Sequence, residues 1–112
     1  MFAMLMGLKS ISPQDLHVRM QGGALTIIDV NSRQSWQKAR VPGAINLGVD
    51  FDAGALPADK SAGLVFYCSN PLCRKAPGAA RRAKQLGYTD VRVMSAGITG
   101  WTAARLPVES AG

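Results

Sequence analysis

One histidine and two cysteines in 112 residues leave no set of four soft ligands for a structural zinc site, and no metal or cofactor is implied. Two cysteines are also too few for the disulfide framework of a small secreted domain, so a reducing, cytoplasmic setting is expected. The apolar opening from Met1 to Leu8 falls far short of the roughly 20 residues that a membrane-spanning helix needs. It also lacks the basic start and small-residue cleavage site of a signal peptide, and no membrane is expected. Carboxylates are scarce: 7 Asp and Glu stand against 13 Lys and Arg, a formal charge of +6 that favours anionic partners. Nucleic acid is not expected among them, because the basic residues are not interleaved with stacking aromatics and no helix-turn-helix or zinc-finger spacing occurs. No polar tract or repeat divides the chain. Residues 1–112 therefore read as a single domain, with a core from about 11 to 108 and an N-terminal extension over 1–10.

What is present alternates between two periodicities. Ser12-Pro13-Gln14-Asp15 is a helix start, with a capping hydroxyl, proline at the first helical position and a carboxylate suited to the helix dipole. Pro13, Leu16, His17 and Met20 share one face, and Gly22-Gly23 stops the helix. Leu25 to Val30 is nearly continuous in β-branched character, the pattern of a strand buried on both faces of a parallel sheet. Asn31 to Arg40 reads as a short surface helix or turn pinned by Trp36, Ala44 to Leu47 as a short strand, and 50–61 as a loop. Leu64 to Cys68 is the second buried strand. After a loop from Ser69 to Cys73, the segment Arg74 to Leu86 places Ala76, Ala79, Ala80, Ala83 and Leu86 on one helical face, with Arg81, Arg82, Lys84 and Gln85 outward. Pro77 falls in its first turn and Gly87 ends it. Val91 to Met94 is a third strand, and Ile98 to Leu106 a final helix. Strands alternating with helices predict an α/β fold, a parallel sheet flanked by helices on both faces.

In open α/β sheets ligands collect at the carboxyl ends of the strands, and Cys68 stands at such an end, between a buried strand and a loop leading into a helix. Backbone N–H groups of residues 69–74, with those of the helix start, are suited to an anion-binding concavity. A free thiol titrates near about 8.5, and a helix N-terminus with basic neighbours lowers that value, making Cys68 the candidate nucleophile. Ser69, Asn70, Leu72, Cys73, Arg74 and Lys75 are the candidate substrate-binding residues. Arg74 carries the planar fork that suits a two-oxygen anion, and a cation at a helix start is unfavourable unless an anion offsets it. Cys73 reads first as a small apolar loop residue, with a resolving role against Cys68 as the alternative. Asp29 reads as a structural hydrogen-bonding carboxylate, His17 as a packed residue rather than a general base, and Trp36 and Trp101 as hydrophobic anchors. Arg81, Arg82 and Lys84 form an exposed face suited to an acidic protein partner.

These segments resemble, in order and spacing, the rhodanese-like domains. The resemblance runs from about Ile11 to Val108 and rests on Leu25 to Val30 ending in Asp29, Arg40-Val41-Pro42-Gly43-Ala44-Ile45-Asn46, Val65 to Cys68, Leu86-Gly87-Tyr88, and Ala96-Gly97-Ile98-Thr99-Gly100-Trp101. It implies a sulfurtransferase in which Cys68 accepts a sulfane sulfur from thiosulfate or a similar small anionic donor and passes it, as a persulfide, to cyanide, a thiol or a protein acceptor. Asn31 stands where many members carry arginine, and Arg40 where they often carry histidine. Five residues separate Cys68 from Arg74, the loop length of the phosphatase and arsenate-reductase members of the wider family. Oxyanion chemistry at the same thiolate is therefore the second expectation, and a non-enzymatic sulfur carrier or binding module the third.

Overall fold

The computed structural model describes residues 8–110, so most of the expected N-terminal extension lies outside the described residues. The elements in chain order are β1 (Lys9–Ser10), α1 (Pro13–Met20), β2 (Leu25–Asp29), α2 (Arg33–Lys38), β3 (Ile45–Asn46), a 3-10 turn (Ala53–Ala55), β4 (Gly63–Tyr67), α3 (Lys75–Gln85), β5 (Asp90–Val93) and α4 (Gly97–Ala103). The two strands richest in apolar residues, β2 and β4, pair over five positions, from Leu25 opposite Gly63 to Asp29 opposite Tyr67. Around them the sheet runs β1-β5-β4-β2-β3, and every pairing within it is parallel. All strands therefore end on the same edge.

Successive side chains of a strand face opposite sides, which splits the core in two. Ile28, Leu64, Phe66, Val91 and Val93 face α3, whose Ala76, Ala79, Ala80 and Ala83 are all buried, as their spacing predicts. Alanine loses no side-chain rotamer freedom on burial and lets the helix axis lie close to the sheet. Ile27, Val65, Tyr67 and Met94 face the other way, onto Leu16 of α1, Trp101 of α4, Val41 and Ala44. Helices thus cover both faces of the parallel sheet, as the alternation of periodicities predicts.

Local signals set the helix ends. The Ser12 hydroxyl accepts from the Asp15 N–H at 3.1 Å, and Pro13 opens α1. Gly87 takes φ +104° just after α3, a left-handed conformation that side chains other than glycine rarely adopt. Both tryptophans are anchors with satisfied indoles: Trp36 donates to the Ala44 carbonyl at 2.8 Å and Trp101 to that of Pro107 at 2.7 Å.

Two expectations need correction. Residues 8–10 are not merely an extension: Leu8 is buried and Lys9–Ser10 pair with Arg92 and Val93 as an edge strand. A two-residue strand with exposed polar side chains has no alternation to read, and only its backbone pairing reveals it. Arg82 is not simply an outward charge on α3. Its guanidinium sits 5.1 Å from the Phe51 ring centroid and donates to the Phe51 carbonyl at 3.0 Å, tying the helix to the loop that covers it. Among the described residues no helix is long and apolar enough to cross a membrane.

Candidate functional site

Cys68 follows the last residue of the central strand β4, where the chain leaves the sheet at its carboxyl edge. It is buried, and backbone bonds hold it on both sides of the departure. The Cys68 carbonyl accepts from the Ile98 N–H at 2.9 Å and the Ser69 carbonyl from the Thr99 N–H at 3.0 Å, so the start of α4 grips the loop. That approach requires Gly97, at φ +68°, because a Cβ there would stand 2.6 Å from the Ser69 and Asn70 backbone. A glycine within the Ala96-to-Trp101 segment thus has its reason in the Cys68 loop.

The loop then folds on itself around Asn70. Its side-chain oxygen accepts from the Leu72 N–H at 2.9 Å, and its carbonyl accepts from the Cys73 N–H at 3.1 Å. The turn returns Cys73 to the strand end, where it forms a disulfide with Cys68 across a Cα–Cα distance of 6.4 Å. That distance lies within the span a disulfide bridges. Two expectations change. Cys73 is not a bystander of the loop but the covalent partner of Cys68, the alternative that the spacing left open. The Leu72 and Cys73 N–H groups, counted among an anion cradle over 69–74, are committed to the turn, the first by the Asn70 side-chain oxygen and the second by the Asn70 backbone carbonyl.

Beside the disulfide opens a cleft of about 220 Å³. Asn70, Leu72, Cys73 and Arg74 of the predicted set line it together with Cys68. Leu72 is 89% exposed, an apolar side chain at the mouth. Ser69 and Lys75 are not brought into it: Lys75 begins α3 on an exposed surface, and the Ser69 hydroxyl turns away to donate to the Asn31 side-chain oxygen at 2.7 Å. The opposite wall consists of Val93, Met94 and Ser95, which sequence reasoning did not select. The usable signal was topological, since β5 ends on the same edge as β4. Arg74 occupies the N-cap of α3 without a capping side-chain bond, and the first turn of α3 holds no acidic residue. The positive end of the helix and the Arg74 side chain therefore share one corner of the cleft.

Beneath the loop lies a buried polar network anchored by Asp29. Its carboxylate accepts from the Asn31 N–H at 2.8 Å and from the Tyr67 hydroxyl at 2.6 Å, and that hydroxyl accepts in turn from the Val41 N–H at 3.0 Å. Burial pushes the Asp29 carboxyl above its ordinary value, against the opposing pull of the Tyr67 and Asn31 hydrogen bonds. Burial, then the neighbouring Asp29 charge, raises the Tyr67 phenol so far that it stays protonated and keeps donating. Asn31 links this network to the loop through Ser69, and its carbonyl accepts from Asn46 at 2.8 Å. Arg40 does not line the cleft; it stacks 4.1 Å from the Trp36 ring centroid, 3.7 Å from Glu109, and its charge adds a smaller downward pull on the Asp29 carboxyl. His17 packs edge-on against Trp101 and does not line the cleft.

Comparison with known proteins agrees with this architecture. The chain is 33% identical over 103 residues to the HTH-type transcriptional regulator Rv0324 of Mycobacterium tuberculosis (strain ATCC 25618 / H37Rv), covering 89% of this chain and 44% of that protein. It thus spans less than half of that relative's length. The crystal structure of the BH2092 protein from Bacillus halodurans superposes with a TM-score of 0.83 at 23% identity, covering 96% of this chain and 81% of that one. A rhodanese with anions from E. coli superposes with a TM-score of 0.63 at 27% identity, covering 78% and 99%. The family model described as a rhodanese-like domain matches residues 12–104. Because that match runs from the cap of α1 through the end of α4, the chain belongs to the rhodanese-like domain family.

Proposed function

We propose that this domain is a sulfurtransferase whose nucleophile is Cys68, working once the Cys68–Cys73 disulfide has been reduced. The observation that carries the reading is the placement of Cys68: at the carboxyl end of the central strand, on the floor of a cleft whose rim holds Arg74 and the start of α3. The Cys68 thiolate attacks the outer sulfur of thiosulfate or a similar donor, the donor's S–S bond breaks, and sulfite leaves with the bonding electron pair. The persulfide then passes its outer sulfur to cyanide or a thiol. Arg74 on the rim, with the positive end of α3, offsets the charge of the departing sulfite. An anion-containing rhodanese among the structural relatives supports this assignment of an anionic donor.

The five-residue loop keeps an oxyanion hydrolase or reductase as a second reading. Proline at position 71 supplies no N–H, and Asn70 holds those of Leu72 and Cys73, so the loop offers a tetrahedral oxyanion few donors in this conformation. A sulfur carrier that acts through a partner is the third, supported by the relative that is a transcriptional regulator. The deciding experiment uses reduced Cys73→Ser protein, which isolates Cys68. Incubated with thiosulfate, it gains about 32 Da, and cyanide removes the gain as thiocyanate, whereas Cys68→Ser gains nothing. No gain, or a gain that survives Cys68→Ser, overturns the assignment. Turnover of a phosphate ester or arsenate without sulfur gain selects the second reading, and a stable persulfide with negligible turnover the third.

A further inference from the structure

We infer that Cys73 is a second catalytic residue: it resolves the Cys68 persulfide, releasing sulfide and leaving the Cys68–Cys73 disulfide. The inference rests on the proposed persulfide at Cys68 and extends it from sulfur transfer to the reductive release of sulfide.

The geometry selects the reacting atom. In the oxidised protein the Cys73 sulfur is bonded to the Cys68 sulfur itself, which is the inner atom of a Cys68 persulfide. A Cys73 thiolate approaching along that line meets the inner sulfur and displaces the outer one. One S–S bond forms, between the two cysteines; one breaks, between Cys68 and the outer sulfur, which leaves with the electron pair as hydrosulfide. The sulfane sulfur gains two electrons, and the two cysteines together lose two. For thiosulfate the sum is a dithiol plus thiosulfate giving a disulfide, sulfite, hydrosulfide and one proton. This is thiol–disulfide exchange with hydrosulfide as the leaving group.

The loop is built to hold Cys73 ready. Asn70 closes the turn with bonds to both Leu72 and Cys73, which fixes the return of the chain to the strand end. Gly97 lets α4 clamp the residues before that turn. An attacking group held this way acts at an effective concentration far above that of any dissolved thiol. Cys68 itself lines the cleft, so a sulfur carried on it has an exit that bypasses the buried core. Turnover then requires an external dithiol reductant, small molecule or protein, to reopen the disulfide. The exposed Leu72 places that disulfide beside a surface that such a reductant reaches.

The test uses the full chain, reduced, desalted and held without oxygen, with thiosulfate as the only addition. Wild type is expected to release one sulfide and one sulfite per chain and then stop, ending about 2 Da lighter than the reduced protein; adding dithiothreitol restarts sulfide release. Cys73→Ser and Cys73→Ala are expected to release sulfite, keep the added sulfur and lose sulfide release. Two variants are used so that disturbance of the loop by one is not mistaken for chemistry. Wild type that retains its persulfide without sulfide, or sulfide release unchanged in both variants, overturns the inference and leaves sulfur transfer at Cys68 standing. If neither Cys73 variant gains sulfur, the sulfurtransferase reading itself fails and this inference falls with it.

Discussion

At the scale of single residues, Asp29 has an environment that makes a measurable demand on stability. Its carboxyl is pushed up by burial while the Tyr67 and Asn31 hydrogen bonds pull it down, and the upward push is the larger. The folded protein therefore holds this proton to higher pH than the unfolded chain does. Its contribution is fully present below the ordinary carboxylate value and is lost as pH rises through the raised folded value. Tyr67→Phe removes a bond that favours the ionised form, raising Asp29 further. The substitution should cost about 1–3 kcal/mol at neutral pH, the penalty of leaving a buried acceptor short of its partner. In acid, where Asp29 is protonated, it should cost less. Urea unfolding of both proteins across that range checks it, and Asp29→Asn should remove this pH dependence. Asp29, Asn31 and Tyr67 do not line the cleft beside Cys68, which fits the reading of Asp29 as a structural carboxylate.

At the scale of elements, α3 shows how far a pattern of small residues specifies packing. Its four buried alanines lie at helical spacing, and the expected face over Arg74 to Leu86 was realised in a helix over Lys75–Gln85. Ala80 is fully buried among residues of β4 and β5. Enlarging it to leucine forces the helix off the sheet, with a cost of about 1–3 kcal/mol from overpacking. Ala80→Leu should therefore lower the midpoint of denaturant unfolding. It should also displace the start of α3, and with it Arg74, from the cleft. Sequence periodicity carried less far along the loop before α3, where no repeat exists and the turn is set by one asparagine. Its inward bonds could be read only once Leu72 and Cys73 were seen to follow Asn70 in a tight return.

At the scale of the whole molecule, the charge of +6 acts on any anionic substrate before contact. Opposite charges accelerate encounter, and salt screens them over a Debye length of about 10 Å at 0.1 M. Sulfite release from thiosulfate by the reduced protein should slow several-fold between low and high salt. Arg74→Ala should reduce that dependence while leaving the fold intact, as stopped-flow sulfite release and thermal unfolding together check. Sequence by itself determined the helices and the inner strands, the cap of α1 and the end of α3, the α/β class and the strand-end position of Cys68. Those features depend on short-range periodicity and on backbone preferences of serine, proline and glycine. Only the tertiary structure decided that Lys9–Ser10 form an edge strand and that Val93, Met94 and Ser95 wall the cleft. It also decided that Asn31 holds Ser69 away from that cleft and that Cys73 closes onto Cys68. These depend on which strand edges adjoin and on where a turn without periodicity points its donors, and neither leaves a pattern along the chain for a sequence to show.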